Sequence, residues 1–187
     1  LDILANSAWA GYDGLHKMTD FPFNQPFWER RLSYWDDNLF AVRAAYITSV
    51  FAARIMVKQE SGLIVNISSN VDKRQEGDRN AAYYNAKMSI ETLTADLAEE
   101  LRSHHITSVA LWPGLVRTEG IMLHEKYIDL SNSESPQFTG RAVVALATAV
   151  FLMAAHPAHL VEFMPLLGLW LVAPGIAWWI SRPLTVR

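Results

Sequence analysis

The 187-residue sequence contains no cysteine. That excludes disulfides and thiolate metal sites, and the composition fits a reducing compartment such as the cytoplasm. Basic charge is also short: 16 Lys and Arg against 19 Asp and Glu leave a net charge of −3. Without a basic field, nucleic acid is not an expected partner. The six histidines include His104-His105 and His156-Pro-Ala-His159, with no carboxylates at ligand spacing, so no metal site is expected. No basic-then-apolar leader is visible, and the chain opens on Leu1 instead of Met, so an upstream portion is expected.

What is present reads as one domain, long enough to bury a core. Residues 1–5, Leu-Asp-Ile-Leu-Ala, read as a short buried strand ending at Asn6-Ser7-Ala8. Residues 9–31 are broken by Gly11, Gly14, Pro22 and Pro26, yet carry Phe21, Phe23, Phe27 and Trp28. Two readings stay open for them: a loop packing its own rings on the core, or a lid over an apolar pocket. From about Ser33 to Gln59 neither Pro nor Gly occurs. Phe40, Ala44, Phe51 and Met56 supply an apolar face, which predicts a long helix stopped by Ser61-Gly62. Residues 63–67 read as a strand, and a second long helix carries Tyr83 and runs to about Ser103. Its pattern puts Met88, Leu93, Leu97 and Leu101 inward and Glu91, Asp96, Glu99 and Glu100 outward. Ile106 to Leu111 reads as a third strand, closed by Trp112-Pro113-Gly114.

Strands alternating with long helices predict an α/β fold, a parallel sheet covered by helices, with ligands bound beyond the carboxyl ends of the strands. Asn6-Ser7-Ala8, Ser68-Ser69 and Pro113-Gly114 all fall at that edge, and the Tyr83 helix starts facing it. Tyr83 and Lys87 are four residues apart, hence one turn apart on one helix face. An ammonium beside a phenol favours the phenolate and makes Tyr83 a candidate proton donor and acceptor. Alone, such a pair is equally an ordinary helical spacing. Its convergence with three other segments sets it apart.

These segments resemble the short-chain dehydrogenase/reductase family. The matching pieces are Leu1-Asp-Ile-Leu-Ala-Asn-Ser-Ala8, Leu63-Ile-Val-Asn-Ile-Ser-Ser69, Tyr83 to Lys87, and Pro113-Gly-Leu-Val-Arg-Thr118, within residues 1–148. Leu111-Trp-Pro-Gly-Leu-Val, Gln25-Pro-Phe-Trp and Trp35-Asp-Asp narrow the resemblance to one branch. It implies a partial Rossmann-like doubly wound sheet and hydride transfer between NAD(P)(H) and a carbonyl or alcohol. Tyr83 would be the acid/base, Lys87 would lower its pKa and hold the nicotinamide ribose, and Ser69 would bind the substrate carbonyl. Asn6 would help close the cofactor pocket, and Pro113, Gly114, Val116 and Thr118 would meet the nicotinamide. Between NAD and NADP the resemblance leans to NADP.

The sequence departs from the family pattern in three places. Counting back from Tyr46 puts Ala41 where the family has a helix asparagine, with Asn38 nearly one turn away. Ser69 lies 14 residues before Tyr83, one more than usual, which leaves Ser68 as an alternative. No Gly-rich strand-to-helix turn occurs, since Gly11 to Gly14 does not open a helix. The resemblance implies roughly eighty residues upstream of Leu1, with that turn among them.

Further on, residues 119–139 match the family's substrate loop, and Ile121, Met122, Leu123 and Tyr127 hint at an apolar substrate. Residues 140–148 resemble the next helix. Residues 149–187 form an apolar tail in which 163–180 carries no charge but includes Trp170, Trp178 and Trp179. A membrane anchor, oligomer or core packing, and an altered reading frame stay open for it. The expectation is therefore a cytoplasmic oxidoreductase, with 163–180 as a candidate membrane-associating segment and the two long helices as candidate homo-oligomer contacts. The alternative is a truncated, non-catalytic relative acting in membrane association or partner binding.

Overall fold

The computed structural model describes residues 1–9, 26–69 and 80–155. Three strands, β1 (Ile3–Asn6), β2 (Gly62–Ile67) and β3 (Ile106–Leu111), form a parallel sheet in the order β1-β2-β3. Helix α1 (Ser33–Gln59) connects β1 to β2, and α2 (Ala81–Leu101) connects β2 to β3. Beyond β3, the short strands β4 (Leu115–Val116) and β5 (Ser133–Glu134) pair in parallel, with the single turn α3 (Glu119–Met122) between them. Helix α4 (Pro136–Ala155) follows. The α/β expectation therefore holds, and the segment read as a substrate loop is largely ordered.

Alternation along β2 sorts the core into two layers. Ile64 packs with Ala52, Met56, Leu101 and Ile106 under α1 and α2, while Leu63 and Val65 pack with Leu111 and Ala147 under α4. Helices on both faces account for the nearly unbroken apolar run of β2. Val150 and Phe151 still pack on this layer, so α4 runs through the division drawn at residue 148. The tail reading at 163–180, and most of the aromatic loop, lie outside the described residues.

The structure corrects three points about the long helices. The inward face of α1 is Tyr34, Asn38, Ala41, Ala45, Ser49, Ala52 and Met56, whereas Phe40 and Phe51 are exposed. Small side chains win that face because they let the helix axis approach the sheet. The contact is close enough that a Cβ on Gly62 would sit 2.5 Å from Met56 Sδ. On α2, Met88 is exposed while Glu91 is half-buried, the reverse of the pattern reading. Glu60, not Ser61-Gly62, ends α1: it takes the left-handed conformation at φ 52° and donates its N–H to Met56 O and Val57 O. Gly62 then opens β2. α1 is long and apolar enough to cross a membrane by length and composition alone, but its inner face is part of the sheet core.

Candidate active site

The parallel sheet brings Asn6, Ser68-Ser69 and Trp112-Pro113-Gly114 to one edge, at the ends of β1, β2 and β3. α2 starts at the same edge, and its first turn carries Tyr83. Asn80 fixes that start. Its Oδ1 accepts from Tyr83 N at 3.1 Å, and its Nδ2 donates to Tyr34 Oη of α1 at 2.6 Å. An asparagine directly before a helical run is a known capping signal, so this role was readable from the sequence.

Lys87 is buried one turn along from Tyr83. Its Nζ donates to the carbonyl of Ile67, the last residue of β2, at 3.3 Å, and lies 4.1 Å from the centroid of the Trp9 ring. It is 5.8 Å from the Tyr83 ring centroid. Burial pushes the ammonium down from 10.5 to about 8, against the raising pull of the Glu91 carboxylate. Trp9 also meets Tyr83 edge-on with centroids 5.5 Å apart, so one indole touches both members of the pair. Sequence reasoning missed Trp9, although an aromatic side chain directly after the strand-end motif was visible.

The two serines after β2 separate cleanly. Ser68 Oγ donates to the backbone carbonyl of Lys87 at 3.2 Å and its N–H to Leu111 O at 2.8 Å, so it ties α2 and β3 to β2. Ser69 Oγ is buried and finds no hydrogen-bond partner among the described residues. A buried hydroxyl left unspent costs free energy and marks a group available to a ligand.

Asn6 is placed at the edge, but its amide is used internally. Nδ2 donates to Asn66 Oδ1 at 2.8 Å, and Oδ1 accepts from Thr48 Oγ1 at 2.7 Å. Asn66 Nδ2 donates in turn to Thr94 Oγ1 at 2.9 Å, which donates to Ile90 O at 2.6 Å. Ala41 lines a cleft of about 330 Å³ together with Asn6, Trp9, Thr48 and Ile67. Asn38 is fully buried elsewhere on α1, with Nδ2 on Tyr34 O at 2.7 Å. No asparagine of α1 therefore lines this cleft.

Pro113 and Val116 are half-buried, while Gly114 and Thr118 are exposed. Thr118 caps α3, its Oγ1 accepting from Ile121 N at 3.4 Å. The residues present suit the nicotinamide end of a dinucleotide. Lys87 offers an ammonium, Ser69 an unspent hydroxyl, and Gly114 an exposed backbone beside the Glu134 carboxylate, which an added Cβ would crowd at 3.0 Å. For a pyrophosphate the sequence offers no Gly-rich turn.

Residues 1–127 match the profile of the short chain dehydrogenases. The chain belongs to the short-chain dehydrogenase/reductase family. One relative is dehydrogenase/reductase SDR family member 1 of Mus musculus, 39% identical over 162 residues, which cover 79% of this chain and 50% of that protein. It represents the branch that Trp35-Asp-Asp and Leu111-Trp-Pro-Gly-Leu-Val resemble. Among solved structures, a metagenomic short-chain oxidoreductase in complex with NADP is 28% identical, with a TM-score of 0.55 over 79% of this chain and 55% of that one. A 4-hydroxyisoleucine dehydrogenase complexed with NADH is 26% identical, with a TM-score of 0.57 over 80% and 63%. The chain spans about half the length of the curated relatives it matches. Its three-stranded parallel sheet, with helices on both faces, is part of that family's Rossmann-like fold.

Proposed function

We propose that this chain carries the catalytic part of a carbonyl reductase or alcohol dehydrogenase, with Ser69, Tyr83 and Lys87 as its reacting set. The observation that carries the reading is the unspent, buried Ser69 hydroxyl after β2, on a sheet edge where Lys87 is buried one turn from Tyr83. NAD(P)H, held at its ribose by Lys87, would supply the hydride for the carbonyl carbon. Tyr83 gives its proton to the carbonyl oxygen, and Ser69 donates a hydrogen bond to that same oxygen. Lys87 favours the phenolate left behind and takes up the ribose hydroxyls. Pro113, Gly114, Val116 and Thr118 frame the nicotinamide. Asn6 contributes by holding the end of β1 in place, since its own amide is engaged. The substrate is a small, apolar carbonyl or alcohol compound. The cofactor is NAD or NADP, with the family resemblance leaning to NADP; of the two solved relatives one holds NADP and the other NADH.

The decisive experiment is Tyr83→Phe in a chain extended upstream to the length of its relatives. Turnover should fall by about 10²–10⁴-fold, the usual weight of a positioned proton donor. NADPH binding, followed by fluorescence titration, should persist. Near-normal turnover by that variant would sink the assignment.

A further inference from the structure

Tyr83, Lys87 and Glu91 follow one another at four-residue steps, so they share one face of α2. The third member looks, by pattern, like an ordinary solvent-facing charge. In the fold it is half-buried, and its Oε1 accepts a hydrogen bond from Trp112 Nε1 at 2.5 Å. Trp112 is the first residue after β3 and stands immediately before Pro113-Gly114. A single charge-assisted contact thus joins the helix of the Tyr83–Lys87 pair to the segment proposed to meet the nicotinamide.

Lys87 needs such help. Its ammonium is buried, and burial alone favours the neutral amine, which would leave Tyr83 with no cation beside it. Among the described residues Lys87 faces the Ile67 carbonyl of β2 and the Trp9 and Tyr83 rings, and Glu91 lies one turn further along the same face of α2. Glu91 is the one carboxylate among them. A free glutamate could swing into water and lose most of its effect, but an indole N–H from across the chain holds this one partly out of solvent. Trp112 has no charge of its own, so it fixes the carboxylate without competing for it.

We infer that Glu91, clamped by Trp112 one turn beyond Lys87 on the same helix face, is a positioning residue whose charge favours the Lys87 ammonium, so that the segment after β3 and the Tyr83–Lys87 pair act as one electrostatic unit. Its catalytic meaning rests on the function proposed above, but its effect on Lys87 does not. The bland alternative is a clip that merely fastens α2 to β3.

The two readings part at the titration of Lys87, one of five lysines, followed by ¹³Cε NMR and assigned by its loss in Lys87→Arg. Glu91→Gln keeps an acceptor for Trp112 and removes the charge. Its Lys87 midpoint should fall by about half a pH unit or more. Glu91→Asp should recover part of that fall, and it carries the test should Glu91→Gln fail to fold. Trp112→Phe should lower the midpoint by less, and add nothing on top of Glu91→Gln. A Lys87 midpoint that stays put or rises in both Glu91 variants overturns the inference and leaves only the clip. Because no cofactor or turnover enters this measurement, the inference can survive when the Tyr83→Phe test fails. Equally, Tyr83→Phe can abolish turnover while the Lys87 midpoint ignores Glu91.

Discussion

Two polar clusters lie along the same strands, and they are built on opposite rules. In the first, Asn6, Asn66, Thr94 and Thr48 join β1, β2, α2 and α1, and each side-chain amide has both ends engaged. In the second, at the ends of those strands, Ser69 has a buried hydroxyl with no partner and Lys87 has a buried charge. The first cluster has nothing left to offer a ligand. The second keeps the Ser69 hydroxyl uncommitted and the Lys87 charge out of water, both at a cost in stability.

The sharpest way to break that contrast is Asn66→Ala, which removes the acceptor of the shortest Asn6 Nδ2 hydrogen bond and the donor to the Thr94 hydroxyl together. Urea unfolding should register a loss of about 3 kcal/mol. A loss under about 1 kcal/mol would mean that the network is ornamental.

Lys87→Met should act the other way. The folded ammonium titrates at about 8 instead of 10.5, so between those values the unfolded chain keeps a proton that the folded chain has released. Stability from this group therefore rises as pH climbs from about 8 to 10.5, and the cost is fully present below 8. Replacing Lys87 by Met should stabilise the protein at neutral pH by about 1–3 kcal/mol and flatten that rise. A destabilised Lys87→Met variant with the same pH dependence would place the charge among the fold's supports.

Asn80→Ala probes the boundary between the two clusters, since it removes a helix cap and the bond to Tyr34. It should cost about 1–2 kcal/mol in the same unfolding assay. An unchanged midpoint would free the start of α2 from Asn80. The smallest stability effect belongs to Ser69→Ala, within about 0.5 kcal/mol of the parent or slightly above it. Turnover of the extended chain should fall all the same. A large stability loss at Ser69 would move it into the structural cluster.

The elements were legible where period and breaker agreed. The span of α1 and the strand Ile106–Leu111 could be read directly, because Pro and Gly are absent from the first and Pro113-Gly114 closes the second. The sheet edge was legible too, since connections of helical length force parallel strands to end together. The faces were harder to read. α1 is apolar on its outer side as well, so Phe40 and Phe51 outweighed the alanines that make the close contact. Glu91 was misread because helical periodicity says nothing about a partner arriving from β3. Asn66 sits in an apolar run, where one polar side chain reads as an interruption unless its neighbours across the sheet are known.

Asn6 and Asn66 are exact register partners on β1 and β2. Slipping β1 by one residue would turn Asn6 toward α4 and leave Asn66, Thr48 and Ser49 without it, an error of several kcal/mol by the usual weight of stranded buried amides. A strand of four residues has little apolar area with which to choose its own alignment. The asparagine pair therefore works as an indexing pin during assembly. It admits one alignment of β1, and with it one position for Trp9 against Lys87.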